Sequence, residues 1–189
     1  AMRFATAGDT IWIDAGTYDS YVHLNGINTD TAGINIDKDS ITLIGKDSNA
    51  TVIDPPGDSN IANVYGVYAD TQSGLIVKNI GVTGAYDGFH FYNVDNSRLE
   101  SDSATSNGQY GFYLWVNSDT NTLTNNKSSN NTSYGFSLSS SSSNTLTNNT
   151  SSNNTSIGFS LSSSSSNTLT NNTSSNNTLD GFYLLFSSN

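Results

Sequence analysis

Residues 121–143 read NTLTNNKSSNNTSYGFSLSSSSS, residues 144–166 read NTLTNNTSSNNTSIGFSLSSSSS, and residues 167–189 read NTLTNNTSSNNTLDGFYLLFSSN. The second copy matches the first at 21 of 23 positions, and the third matches the second at 17. Ser, Asn and Thr supply 49 of these 69 residues, a bias ordinarily expected of a disordered linker. The register argues against disorder. Leu123, Phe136 and Leu138 recur as Leu146, Phe159 and Leu161, then as Leu169, Phe182 and Leu184. A disordered tract has no reason to hold its apolar residues at fixed places.

Upstream the repeat continues in degenerate form, marked by the glycine before each apolar pair. Gly66, Gly88, Gly111, Gly135, Gly158 and Gly181 are spaced 22, 23, 24, 23 and 23 residues apart. The pairs that follow, from Val67/Ala69 and Phe89/Phe91 to Phe182/Leu184, are always two residues apart, which is the side-chain period of a strand. Ile34/Ile36 after Gly33 read as an earlier rung, with an insertion around Asp54-Pro55-Pro56-Gly57 forming a loop. A period near 23 with several short strands per repeat, glycines at corners and no helical pattern predicts a parallel β-solenoid of about eight turns, roughly 39 Å tall at about 4.8 Å per rung. Within one turn the strands are placed at 135–139, 144–148 and 150–153. Asn suits the corners because it tolerates left-handed backbone angles. In the third strand, matching Ile80 and Val82 to Thr150 and Ser152 turns those columns inward and sets Lys127 in a core column, an uncommon place for lysine.

The chain of 189 residues is expected to form one domain: irregular first turns over 1–65, degenerate turns over 66–120, and the near-identical copies over 121–189. Sixteen acidic residues against six basic ones give a net charge of −10, which excludes the basic footprint of nucleic-acid binding. The absence of Cys excludes disulfides and thiolate metal sites. No apolar run approaches the roughly 18 residues of a membrane span.

Gly-Phe-Tyr-Leu-x-x-Ser-Ser-Asn and Asn-Thr-Leu-Thr-Asn-Asn resemble the right-handed parallel β-helix repeats of the NosD/pectate-lyase-like superfamily, and Gly8-Asp9-Thr10-Ile11 with Gly16-Thr17-Tyr18 resembles the opening strand of such helices. The resemblance spans nearly the whole chain. It implies a right-handed parallel β-helix and an archaeal cell-surface setting. It does not choose an activity, because such repeats serve sugar lyases, hydrolases, metal-centre maturation factors and inert stalks. The amphipathic helix that caps the first turn in the family is missing and the chain stops within a repeat, which reads as a fragment of a longer protein.

Copper handling, implied by the family's best-known name, lacks ligands: Met2, His23 and His90 are the whole supply, and the two histidines fall in different turns. The densest set of candidate catalytic groups is Asp87, His90, Asp95, Arg98, Glu100 and Asp102. Strand alternation lets Asp87 and His90 share an outer face, while Arg98 and Glu100 flank Leu99 on another and read as an ion pair. No spacing fixes an acid and a base, so no catalytic residue and no metal ligand is assigned. The outer face of the Gly-led strand carries Tyr68, His90, Tyr113, Ser137, Ser160 and Tyr183 two residues after each glycine, and Tyr65, Asp87, Tyr110, Tyr134, Ile157 and Asp180 just before it. Tyr92 and Trp115 extend the same face. Exposed rings beside Asp and His offer sugars a stacking surface with polar groups to orient hydroxyls, so the expected ligand-binding residues are Tyr68, Asp87, His90, Tyr92, Tyr110, Tyr113 and Trp115. Cross-strand aromatic packing, or cover from loop 54–63, is the simpler reading of the same rings.

Thr columns at Thr122/Thr124, Thr145/Thr147 and Thr168/Thr170 resemble those of ice-binding solenoids, although β-branched residues favour strands in any case. Asn-x-Ser/Thr sequons fall at Asn49, Asn126, Asn130, Asn131, Asn148, Asn149, Asn153, Asn154, Asn171, Asn172 and Asn176. They fit an extracellular or cell-surface location. The expectation is therefore a non-catalytic secreted or surface module, a stalk or a binder of polysaccharide or envelope glycan, needing no cofactor. The alternative is a polysaccharide lyase or glycoside hydrolase acting on the middle turns, and Ca²⁺ enters only under the lyase alternative.

Overall fold

The computed structural model describes residues 5–24, 30–56 and 63–188. Three parallel sheets wrap one core, and each coil contributes one short strand to each sheet. The first sheet starts at Thr10–Ile13 and runs through Thr42–Gly45, Ile76–Lys78 and Arg98–Glu100 to Thr168–Thr170. The second starts at Gly16–Tyr18 and ends at Thr173–Ser175. The third holds the Gly-led strands, among them Thr31–Ile36, Val64–Asp70, Asp87–Tyr92, Phe112–Trp115 and Phe182–Leu185, with Val22–His23 added antiparallel at its edge. Seven parallel strands line each face among the described residues, one coil fewer than the repeat length suggests. The first two coils are long, which accounts for the difference: the paired first-sheet residues Thr10, Thr42 and Ile76 are 32 and 34 residues apart, against 22 from Ile76 to Arg98 and 24 from Arg98 to Thr122.

The Gly-led pairs face inward as expected, and Ile34 and Ile36 do start an earlier rung, in register with Val67 and Ala69. Phe89, Phe112, Phe136, Phe159 and Phe182 stack face to face at 4.6–4.8 Å. Their leucine and small-residue partners complete a dry interior, with the first four rings fully buried. The marker glycines sit where the third face closes against the second. A Cβ at Gly158 would collide with Ser174 Oγ and the Gly181 carbonyl, so only glycine lets the coil close this tightly.

Two corrections concern the second sheet and the corners. The inward column of the second sheet is Val82, Ala104, Ser128 and Ser151, and Thr150 and Ser152 face out with exposed Lys127. The coil before Gly88 is one residue short between Thr83 and Asp87, so counting back from the glycine shifts the register by one. The corner asparagines also divide into two kinds. In each Asn-Asn pair the first residue, such as Asn125 or Asn148, adopts a left-handed φ of 54–58°. The second, such as Asn126 or Asn149, is buried and links coils: Asn149 Oδ1 accepts from Asn126 N–H at 2.9 Å while Asn149 Nδ2 donates to Leu123 O. Of the eleven sequons, Asn126, Asn131, Asn149 and Asn154 are therefore closed to a glycosyltransferase in the folded chain. Four such ladders climb the corners, three of asparagine and one of serine through Ser118, Ser141 and Ser164.

Candidate functional site

Cross-strand register assembles the outer column of the third sheet as Asn35, Tyr68, His90, Tyr113, Ser137, Ser160 and Tyr183. The next column holds Asp70, Tyr92 and Trp115. All seven expected binding residues thus share one face. The wider acidic and basic set divides: Asp87 meets His90 on this face, Arg98 and Glu100 pair at 3.9 Å on the first sheet as expected, where Glu100 also meets Lys78 at 3.1 Å, and Asp102 points into the core.

The arrangement differs from an open row of rings beside exposed polar groups. His90 is 5% exposed and Asp87 2%. His90 Nδ1 and Asp87 Oδ2 lie 2.8 Å apart, and Asp87 Oδ1 accepts from the Tyr110 backbone N–H at 3.1 Å. A carboxylate only accepts, so the proton sits on Nδ1. Four rings enclose the imidazole, Tyr65 at 4.4 Å, Tyr113 edge-on at 5.1 Å, Tyr68 at 5.6 Å and Trp115 at 6.2 Å. A histidine flanked by bulky rings on the preceding and following rungs is covered although its strand position points outward. Asp87 and His90 are a buried pair that sets the rings, not groups offered to solvent.

The accessible surface is aromatic. Tyr113 and Trp115 lie 5.8 Å apart with planes 13° from parallel, and Trp115 is 40% exposed. Tyr110 leans on Tyr113 at 4.6 Å, and Tyr92 meets Trp115 edge-on at 5.2 Å. Trp115 is followed by Val116 and Asn117, both left-handed, at the one extra residue of the 24-residue coil. A β-branched residue at φ 46° is a rare conformation. Burial raises the titration of the phenols: Tyr68, with help from Asp70, and Tyr110, with help from Asp87, are pushed up to about 12. Tyr65 and Tyr113 move in the same direction for the same cause. All four hydroxyls are therefore protonated donors at neutral pH.

Asp70, whose Oδ2 accepts from Tyr68 OH at 3.4 Å, belongs to this face and was not among the expected residues. Alternation from Tyr68 two positions earlier was the signal for it. The part of loop 54–63 that could cover the rings falls on residues 57–62, outside the described residues. His23 packs against Tyr21, away from His90, and among the described residues no three His, Asp or Glu side chains gather to hold a metal ion. No helix among them is long and apolar enough to cross a membrane. A concavity of about 950 Å³ lies in the first coils, between Ile11, Ile13, Leu43 and Ile53. Its walls combine core residues with the exposed Trp12, Tyr18, Tyr21 and Val22.

The family model for the right-handed β-helix region matches residues 32–189, and the chain belongs to that family. No curated protein sequence gives a significant match. Among solved structures the chain is similar to the pectate lyase Pel9A (TM-score 0.65, 19% identity, 88% of this chain and 47% of that one). It is similar also to the T265N mutant of the periplasmic alginate epimerase AlgG (0.62, 20%, 88% and 45%). A third is the catalytic domain of a GH87 α-1,3-glucanase in complex with nigerose (0.61, 17%, 86% and 34%). At these identities the likeness is one of fold, and the chain spans less than half the length of each.

Proposed function

We propose that this chain is a non-catalytic glycan-binding module of a secreted or cell-surface protein, its β-helix serving as both rigid stalk and platform. The observation that carries the reading is the near-parallel Tyr113–Trp115 pair, with Tyr110 and Tyr92 around it, on an otherwise Ser- and Thr-rich rod. Flat, half-exposed rings held by a rigid sheet stack against the apolar faces of sugars, and fixed phenol hydroxyls orient the sugar's own. The polysaccharide-acting names of the structural neighbours support a carbohydrate partner. The exposed sequons, among them Asn130 and Asn153, suit an extracellular location.

Burial of Asp87 and His90 beneath the rings favours binding over turnover. A second reading is kept alive by the same pair: an imidazole oriented through Nδ1 leaves Nε2 as a base, the arrangement that proton-abstracting enzymes use. Glycan-array binding of the chain, followed by titration of a bound oligosaccharide, tests the first reading. Trp115→Ala and Tyr113→Ala are each expected to weaken binding about tenfold, or about 1.4 kcal/mol, with β circular dichroism retained. Tyr183→Ala, three rungs away, is expected to stay within about twofold. Equal affinity of all three variants and wild type removes the site. Release of reducing or unsaturated sugar ends that disappears in Asp87→Asn replaces the binding module with an enzyme.

A further inference from the structure

Resting on that reading, we propose that the face is built for a neutral glycan and rejects polymers of uronic acids. Recognition of a carboxylated sugar requires cations or a surplus of donors opposite each carboxylate. The strands of the third sheet from Thr31–Ile36 to Phe182–Leu185 contain no Lys or Arg. The chain's basic side chains among the described residues stand elsewhere. Lys78 and Arg98 engage Glu100 on the first sheet, Lys127 lies on the second, and Lys38 pairs with Asp37 beyond the end of its strand. Lys46 follows the first-sheet strand Thr42–Gly45.

The charges that do border the rings are acidic. Asp70 touches the Tyr68 hydroxyl, and Asp87 lies beneath Tyr65, Tyr110 and Tyr113. Asp30 adds to the field on Tyr65 and Tyr68. A uronate stacked on Tyr113 and Trp115 would place like charges across a partly dry surface, where screening is weak. A neutral sugar meets the opposite situation. Its hydroxyls donate to Asp70 and exchange hydrogen bonds with phenols that remain protonated. Carboxylates on this face thus serve as acceptors for hydroxyls and as a barrier to acidic chains, one group giving both attraction and exclusion.

The test is equilibrium binding of the whole chain to two sets of hexasaccharides at low and at physiological salt, each with and without added Ca²⁺. One set is neutral (glucans of several linkages, and mannan), the other acidic (hexagalacturonate and hexamannuronate). At least one neutral ligand is expected to bind about tenfold or more tightly than either uronate, with little dependence on salt or Ca²⁺. A uronate bound as tightly as any neutral ligand, or bound once Ca²⁺ is added, overturns the neutral assignment and leaves the glycan-binding face standing. Binding of neither set overturns both. Asp70→Lys, at a partly exposed strand end, is expected to admit uronates at low salt and lose them at high salt. No such gain removes charge as the basis of exclusion.

Discussion

Asp102 stands where the neighbouring coils carry Asn126 and Asn149. Its Oδ1 does what theirs does, accepting from the Ile80 N–H at 2.9 Å. The asparagines also donate through Nδ2 to a strand carbonyl one coil back, as Asn126 does to Leu99 O. A carboxylate has no such donor, and Asp102 Oδ2 is buried without a partner. Burial drives the carboxyl's titration well upward. Because the folded form holds its proton more tightly than the unfolded chain, the stability that protonation supplies is full below the unfolded value near 4 and declines as pH rises toward the folded one. Asp102→Asn is thus expected to stabilise the protein by about 1–3 kcal/mol at neutral pH, with the gain shrinking on acidification toward pH 4. Thermal melts across that range decide it, and a variant that melts at or below wild type at pH 7 refutes the account. Sequence reading reached the corner asparagines only in part. Left-handed backbone explains Asn125 and Asn148, whereas the inward role of Asn126 and Asn149 depends on the coil stacked above, which no local propensity encodes.

Strands whose glycine precedes two apolar residues were legible because alternation and a steric marker agree at each coil. Strands of the second sheet were not, since Lys127–Ser129 and Thr150–Ser152 hold no apolar residue to show which side faces in. There the inward residue is chosen by space: the closing glycine of the third sheet leaves room for a serine hydroxyl, and Ser151 Oγ donates to Gly158 O at 3.0 Å. The binding face was legible to the same degree as its strand. Alternation put the seven residues on one side, but how far neighbouring rings would cover His90 follows from ring packing across three coils. For the Gly-led strand the test is Phe159, stacked at 4.7 Å on Phe136 and 4.8 Å on Phe182. Phe159→Asp places an unpaired charge in a core a few side chains wide and is expected to cost more than about 3 kcal/mol. An unchanged melting midpoint would dispose of the ladder as the source of stability.

Across the whole molecule each coil touches little beyond its two neighbours, so stability accumulates coil by coil. Truncation after Ser166 is expected to lower the melting temperature by one step while circular dichroism keeps its β signature. The removed coil is an exposed one, with Phe182 at 44% and Leu184 at 49% against nothing for Phe159 and Leu161. Loss of all β signal on that truncation would mean a globally cooperative fold. The near identity of residues 121–143 and 144–166 also bears on how the chain finds its place. If Phe112–Trp115 were to seat on the second copy instead of the first, it would meet the same phenylalanine, leucine and asparagine contacts, with one whole copy looped out. Core fit cannot count such copies. The shortened corner before Gly88 and the extra residue at Val116–Asn117 break the sameness, and these two irregular coils are where the folding chain carries its landmarks.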